Sequence, residues 1–304
     1  MAASTIFPKI PTDWLDQSEM INNQKLFVRI LRKPNLQTGR VLFVVHGQGE
    51  QSDRYEHFAF YLQHSVDAII LLDLPGHGKS LGIRGHIQNF DQYSDACLTA
   101  LIHGSDKLKK DFAVPQLELH WFGHSLGGLI TLRTLLKKQD LQLKSVTTSA
   151  PLLGLAFNPP PLKKFFGILI EPLLGALPLT NELDARDVSH DPSVVEAYTQ
   201  NPLNHSKVTP RFFVCMSREM ELLKAPISEF SYNLLVISPL ADRIVSWKAA
   251  FQFFERLKMK IGLKKELHTF PNFSHESFNE LEKNRAFLCL ENWILKTTAI
   301  HSKS

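Results

Sequence analysis

"LHWFGHSLGGLITL", Leu119 to Leu132, sets a single serine at the join of two apolar runs and hems it with glycines. The preceding segment, 116–123 ("QLELHWFG"), has the composition of a buried strand. The following one, "LGGLITLRTLLKK", reads as a helix, and Lys137 and Lys138 in its last turn suit the carbonyl end of a helix dipole. Between them "GHSLG" (123–127) fits G-x-S-x-G in its strand–turn–helix setting. Such a serine turns sharply on a strained backbone, and glycines on either side let strand and helix approach each other. The helix start also aims its free N–H groups and positive dipole end at the site. A plain turn would accept a serine too. The strand, the helix and the further Gly128 together point to Ser125 as a nucleophile.

Outward from this elbow, strands alternate with helices. Strands are expected around 13–20 and 25–32 with the turn "NNQ" between them, then at 41–47 ("VLFVVHG"), 67–78 ("DAIILLDLPGHG", running into a glycine-rich loop), 144–151, 231–240 and 265–270. Helices are expected near 53–64, from Asn89 with Gln92 in the capping-box position, near 246–258 and near 276–296. This order implies a parallel sheet with right-handed crossovers. From about 152 the texture changes, with crowded prolines and no buried strand until 231. The chain therefore divides into a first core part (1–151), an insertion (152–230) and a second core part (231–304).

A serine nucleophile needs a base and a group to orient it. Asp242 follows the strand "NLLVISPL", and His275 follows the strand "ELHTFP", so both fall at the carboxyl ends of strands, where open α/β sheets bind ligands. The chain order Ser, Asp, His fits the elbow motif. Asp184, Asp187 and Asp191 compete for the acid role; His268, inside a strand, and His301, in the tail, compete for the base role. An oxyanion would be met by the N–H of Leu126 and by the N–H of Gln48 in "VVHGQGE", where Gly47 and Gly49 permit close approach. His46 ends a strand and is expected to hydrogen-bond structurally.

Composition excludes several classes. The 304 residues carry a net charge of +4 and no block of five or six like charges, so nucleic acid is not an expected partner. Three scattered cysteines suggest neither a disulfide framework nor a zinc site and fit a reducing, cytoplasmic setting. No signal peptide or membrane span is expected. The loop "DLPGHGKS" lacks the P-loop pattern and reads as a tight turn packed on the active-site side of the sheet.

Several motifs together, "HGQGEQSDRYEHFA", "DLPGHGKSLGIRGHIQNFDQYSDA", "GHSLGG", "ADRIVS" and "FSHE", resemble the monoacylglycerol lipase and lysophospholipase branch of the α/β-hydrolases. The likeness covers roughly 40–150 and 231–280 and is loose in the insertion. It implies an eight-stranded, mostly parallel sheet flanked by helices, with the insertion as a largely helical cap. It also implies hydrolysis of an acyl ester with no metal or organic cofactor, by Ser125 as nucleophile, His275 as base and acid, and Asp242 as orienter. Gln48 and Leu126 would be the oxyanion donors. Members of that branch often carry a small residue where Gln48 stands. The expected partner is a small lipid, a monoacylglycerol or lysophospholipid. Gly47 and the apolar cap residues Leu162, Phe165, Phe166 and Leu169 are the candidates to line its site, and the cap's apolar density also allows peripheral membrane contact. A carboxylesterase, thioesterase or aminopeptidase on the same triad, or a non-catalytic ligand-binding relative, would share this fold.

Overall fold

A computed structural model describes residues 7–21, 25–157, 170–181, 183–227 and 229–299. The expected turn at 22–24, Glu182, His301 and the cap candidates Leu162, Phe165, Phe166 and Leu169 lie outside the described residues.

One sheet holds eight strands in the order β1 (Leu15–Ile21), β2 (Leu26–Arg32), β4 (Ala68–Leu72), β3 (Arg40–Val45), β5 (Glu118–His124), β6 (Leu143–Ser149), β9 (Leu234–Pro239) and β10 (Lys265–Phe270). Strand β2 is antiparallel to both its neighbours, and the other pairs are parallel. The central strands are apolar runs because both their faces are covered. Val41, Phe43 and Val45 join one core, with α2 (Asp91–Phe112) and α3 (Leu126–Lys137). Leu42 and Val44 join the other, with α1 (Phe58–Tyr61) and α7 (Lys283–Ala299). The period of two thus feeds two layers from one strand. Edge strand β1, "LDQSEMI", has no buried residue, in keeping with its polar sequence.

Two expected helices differ. The segment 53–64 forms a 3₁₀ turn, Ser52–Tyr55, and the single-turn α1. Its apolar set, Tyr55, Phe58, Ala59 and Leu62, is nonetheless buried. Side chains anchor its start: Ser52 N–H donates to the Asp73 carboxylate and Arg54 pairs with Glu50. The C-terminal helix begins at Lys283, not near 276. Residues 274–280 stay in a buried loop, with Glu276 N–H donating to Val188 O and the N–H groups of Ser274 and Leu281 donating to the Glu280 carboxylate.

The chain between β6 and β9 carries the two-residue strands β7 (Leu179–Thr180) and β8 (Lys207–Val208), which pair antiparallel. It also carries α4 (Pro192–Gln200) and α5 (Pro210–Leu222). Both helices start on a side-chain cap followed by proline at the first turn, Asp191 for α4 and Thr209 for α5. After β9, α6 (Trp247–Arg256) starts on Ser246.

Candidate active site

Ser125 lies between the end of β5 and the start of α3 with φ +53° and ψ −117°, a left-handed position that a residue with a Cβ rarely takes. Its N–H donates to Ser149 O at the end of β6, and its carbonyl accepts from Leu129 and Leu152 N–H. The crossing is tight: a Cβ on Gly127 would stand 2.2 Å from Val45 O, and one on Gly123 would stand 2.5 Å from Gly127 O. The glycines of the elbow are therefore required by close packing of β3, β5 and α3.

The loops after β9 and β10 bring the other two candidates together. His275 Nδ1 lies 2.7 Å from Asp242 Oδ2, with both residues buried. Asp242 Oδ1 accepts from the N–H groups of Ile244 and Val245 at 2.8 and 2.9 Å, which fixes the carboxylate. Burial alone would raise the Asp242 pKa, but the charge of His275 and these hydrogen bonds hold it below the usual carboxylate value. Burial alone would lower that of His275, but the Asp242 charge and hydrogen bond raise it, with help from Glu276 and Glu50. The ring of His124, next to Ser125, lies 4.7 Å from the His275 ring. A Cβ on Gly47 would stand 3.2 Å from Ser125 Cβ, so the loop after β3 runs directly past the serine. The loop places Gln48 there, and Leu126 opens α3.

The competing residues have other engagements. Asp184 and Asp191 cap the turns that follow them, and Asp187 lies 3.7 Å from Arg243. His268 is exposed on β10. His46 donates from Nδ1 to Gly47 O and accepts Leu74 N–H at Nε2, the structural role expected of it. The "DLPGHGKS" loop is a turn held by Asp73, whose carboxylate accepts from Ser52 and Lys79 N–H. A polar cavity of about 410 Å³ lies between the 184–190 segment and the loops of Asp242 and His275, lined by Asp184, Arg186, Asp187, His190, Arg243 and Ser274; Ser125 does not line it.

One cluster escaped the sequence reading. Glu50 accepts from Gly47 N–H at 2.6 Å, Tyr55 Oη–H at 2.7 Å and Arg54 Nε at 2.9 Å. Arg54 in turn pairs with Glu276, the neighbour of His275, and lies under the Tyr198 ring. Burial alone would raise the Glu50 pKa, but the charge of Arg54, with His124, His46 and the Tyr55 hydrogen bond, holds it below the usual carboxylate value. Burial, and then the charge of Glu50, push Glu276 up against the pull of Arg54. One guanidinium thus ties the loop beside the serine to the loop of the histidine. The only sequence signal was the placement of Glu50, Arg54 and Glu276 inside the quoted motifs.

Residues 37–282 match the Hydrolase_4 family, described as serine aminopeptidase, S33. The chain is 25% identical to human monoglyceride lipase over 295 residues, covering 95% of this chain and 93% of that protein. It is 25% identical to phospholipase YtpA of Bacillus subtilis over 248 residues, 81% of this chain and 92% of that protein. An uncharacterized abhydrolase domain-containing protein of Dictyostelium discoideum is 30% identical over 86% of this chain, which spans only 27% of that longer relative. Among solved structures, the monoacylglycerol lipase of Paleococcus ferrophilus superposes with a TM-score of 0.75 at 25% identity, over 90% of this chain and 99% of that one. The fold is that of the α/β-hydrolases, and with most of its length inside the matched span, the chain belongs to the serine aminopeptidase S33 family of hydrolases.

Proposed function

We propose that this hydrolase cleaves the acyl ester of a monoacylglycerol or lysophospholipid with a Ser125–His275–Asp242 triad. The observation that carries this reading is the buried Asp242–His275 pair on loops beside the strained Ser125 elbow. Asp242 accepts the Nδ1 proton of His275 and leaves Nε2 to take the proton of Ser125 as Oγ attacks the ester carbonyl. The negative oxygen of the tetrahedral intermediate is met by the N–H groups of Gln48 and Leu126, each such donor worth about 3 kcal/mol. His275 then protonates the departing alcohol, and water releases the fatty acid by the same steps in reverse order.

The lipid preference is supported by the names of the relatives and by the surface. Residues 152–230 act as a cap over the core of 1–151 and 231–304. Leu173, Leu174, Leu177, Leu179 and Leu183 are exposed along it, Leu173 at 89%. Such a row suits acyl chains or a membrane surface. Among the described residues no helix is long and apolar enough to cross a membrane. An aminopeptidase would need free acids to hold a substrate amine; among the described residues Glu171 pairs with Arg211, Asp184 with Arg186 and Asp187 with Arg243, so these three are engaged.

The test is a fluorophosphonate probe with a substrate panel of monoacylglycerol, lysophosphatidylcholine, short esters and aminoacyl amides. Labelling that disappears in Ser125→Ala, with turnover highest on the lipid esters, is expected. Labelling that persists in Ser125→Ala, or turnover confined to the amides, overturns the reading.

A further inference from the structure

Gln48 does more than offer its backbone. Its side-chain Nε2 donates to Lys207 O on β8 at 3.0 Å, and its Oε1 lies 3.1 Å from His77 Nε2. The next residue repeats the attachment: Gly49 O accepts from His205 N–H at 2.8 Å. Gly49 has φ +77°, and a Cβ there would stand 2.2 Å from His205 O, so only glycine fits against this segment of the insertion. The His77 ring lies 4.8 Å from the His205 ring and 5.3 Å from that of His46, tilted to both.

The contacts of Gln48 and His77 define this joint. Burial, and then the neighbouring His46 and His205, lower the His77 pKa well below the ordinary imidazole value, so the ring is neutral with one N–H. Its Nδ1 faces Pro75 O at 3.0 Å, and its Nε2 faces Gln48. If the Gln48 amide were flipped, its oxygen would face Lys207 O, acceptor against acceptor. As placed, the amide donates to Lys207 O, and its Oε1 accepts from His77 Nε2–H, while Pro75 O at the same ring's Nδ1 competes for the single proton. Each partner then has a defined role: His77 holds Gln48, and Gln48 holds the insertion.

We propose that Gln48 is a positioning residue that couples the insertion to the oxyanion hole, its carboxamide setting the pose of its own N–H by clamping the loop between Lys207 and His77. This rests on the serine-hydrolase reading above. An N–H aimed poorly at the oxyanion weakens steeply with angle. The hole is thus fully formed only when the 205–207 segment is seated. An acyl chain that shifts the insertion would loosen it.

The experiment compares wild type, Gln48→Ala, His77→Ala and the double variant on a short p-nitrophenyl ester, with kcat, KM, melting temperature and affinity for a trifluoromethyl ketone. Gln48→Met, which keeps the bulk and loses both hydrogen bonds, is read instead if Gln48→Ala melts early. The expected result is a kcat about ten-fold lower, short of the loss seen when a whole oxyanion donor is removed. KM stays within about two-fold, the ketone binds more weakly by the same factor as kcat falls, and the double variant is no worse than the lower single. A wild-type kcat in both Gln48 variants, or a double variant equal to the product of the singles, overturns the coupling. Ser125→Ala separates the two readings: if it still turns over the ester, the hydrolase assignment fails. If it is inactive while the Gln48 variants are normal, only the coupling fails.

Discussion

Ser125 shows what a single residue contributes and costs. Its φ of +53° is unfavourable for any side chain, by about 1–3 kcal/mol in comparable cases. Ser125→Gly should therefore abolish ester turnover and still raise the stability to urea by about 1 kcal/mol, after the extra chain entropy of glycine is subtracted. A midpoint unchanged or lowered would show that the turn is unstrained. His275 carries a second prediction. Its raised pKa means that the base is lost at a pH above the ordinary imidazole value of about 6.5, so the acid limb of kcat/KM should lie above it. Glu276 is one of the charges that raise it, so Glu276→Gln should move that limb to lower pH. A pH–rate profile checks both, and a limb that stays in place in Glu276→Gln contradicts the assigned coupling. Position in the chain singles out Ser125, Asp242 and His275 as candidates, because each follows a strand with its own local pattern. It was not enough for Arg54 and Glu276, which meet across 222 residues.

At the scale of elements, the strands were readable because burial on both faces leaves a continuous apolar run, as in β3 and β4. The helix starts were readable where a cap precedes them; at α2, Asn89 Oδ1 accepts from Gln92 N–H, although the Gln92 side chain returns to Gln88 N–H and not to Asn89. The differences fell where backbone N–H groups bond outside a helix, as Ser52 N–H does to Asp73 and Glu276 N–H to Val188 O. The loop joining β2 to β3 is such a place. Asp67, fully buried, accepts from the N–H groups of Gln37, Thr38 and Gly39 and pairs with Lys33 at 3.1 Å. Asp67→Ala would leave the buried Lys33 unpaired and should cost about 3 kcal/mol of unfolding free energy in urea titration. Burial alone would raise the Asp67 pKa, but these bonds lower it. Its contribution is therefore present above the unfolded value of about 4 and lost as pH falls through the folded one. The gap between wild type and Asp67→Asn should accordingly close in acid; a gap constant down to pH 2 would exclude this account.

At the scale of the whole molecule, the insertion carries a row of exposed leucines. If the exposed leucines meet a membrane, Leu173→Asp with Leu174→Asp should reduce liposome co-sedimentation at least about ten-fold, since each buried leucine contributes about 2 kcal/mol. Turnover of a soluble short ester should change little. Equal sedimentation of variant and wild type would assign those leucines another role. The sequence by itself determined the order of strands and helices, the elbow and the loops that bear Asp242 and His275. These follow from local rules: the period of apolar residues, caps, and glycine where chains cross. Only the tertiary structure decided that Glu50, Arg54 and Glu276 form one buried cluster, and that Gln48 is held by His77 and Lys207. Contacts between residues far apart in the chain are selected by the desolvation of charges and hydrogen-bonding groups that must find partners once buried, and that requirement has no signature in a local stretch.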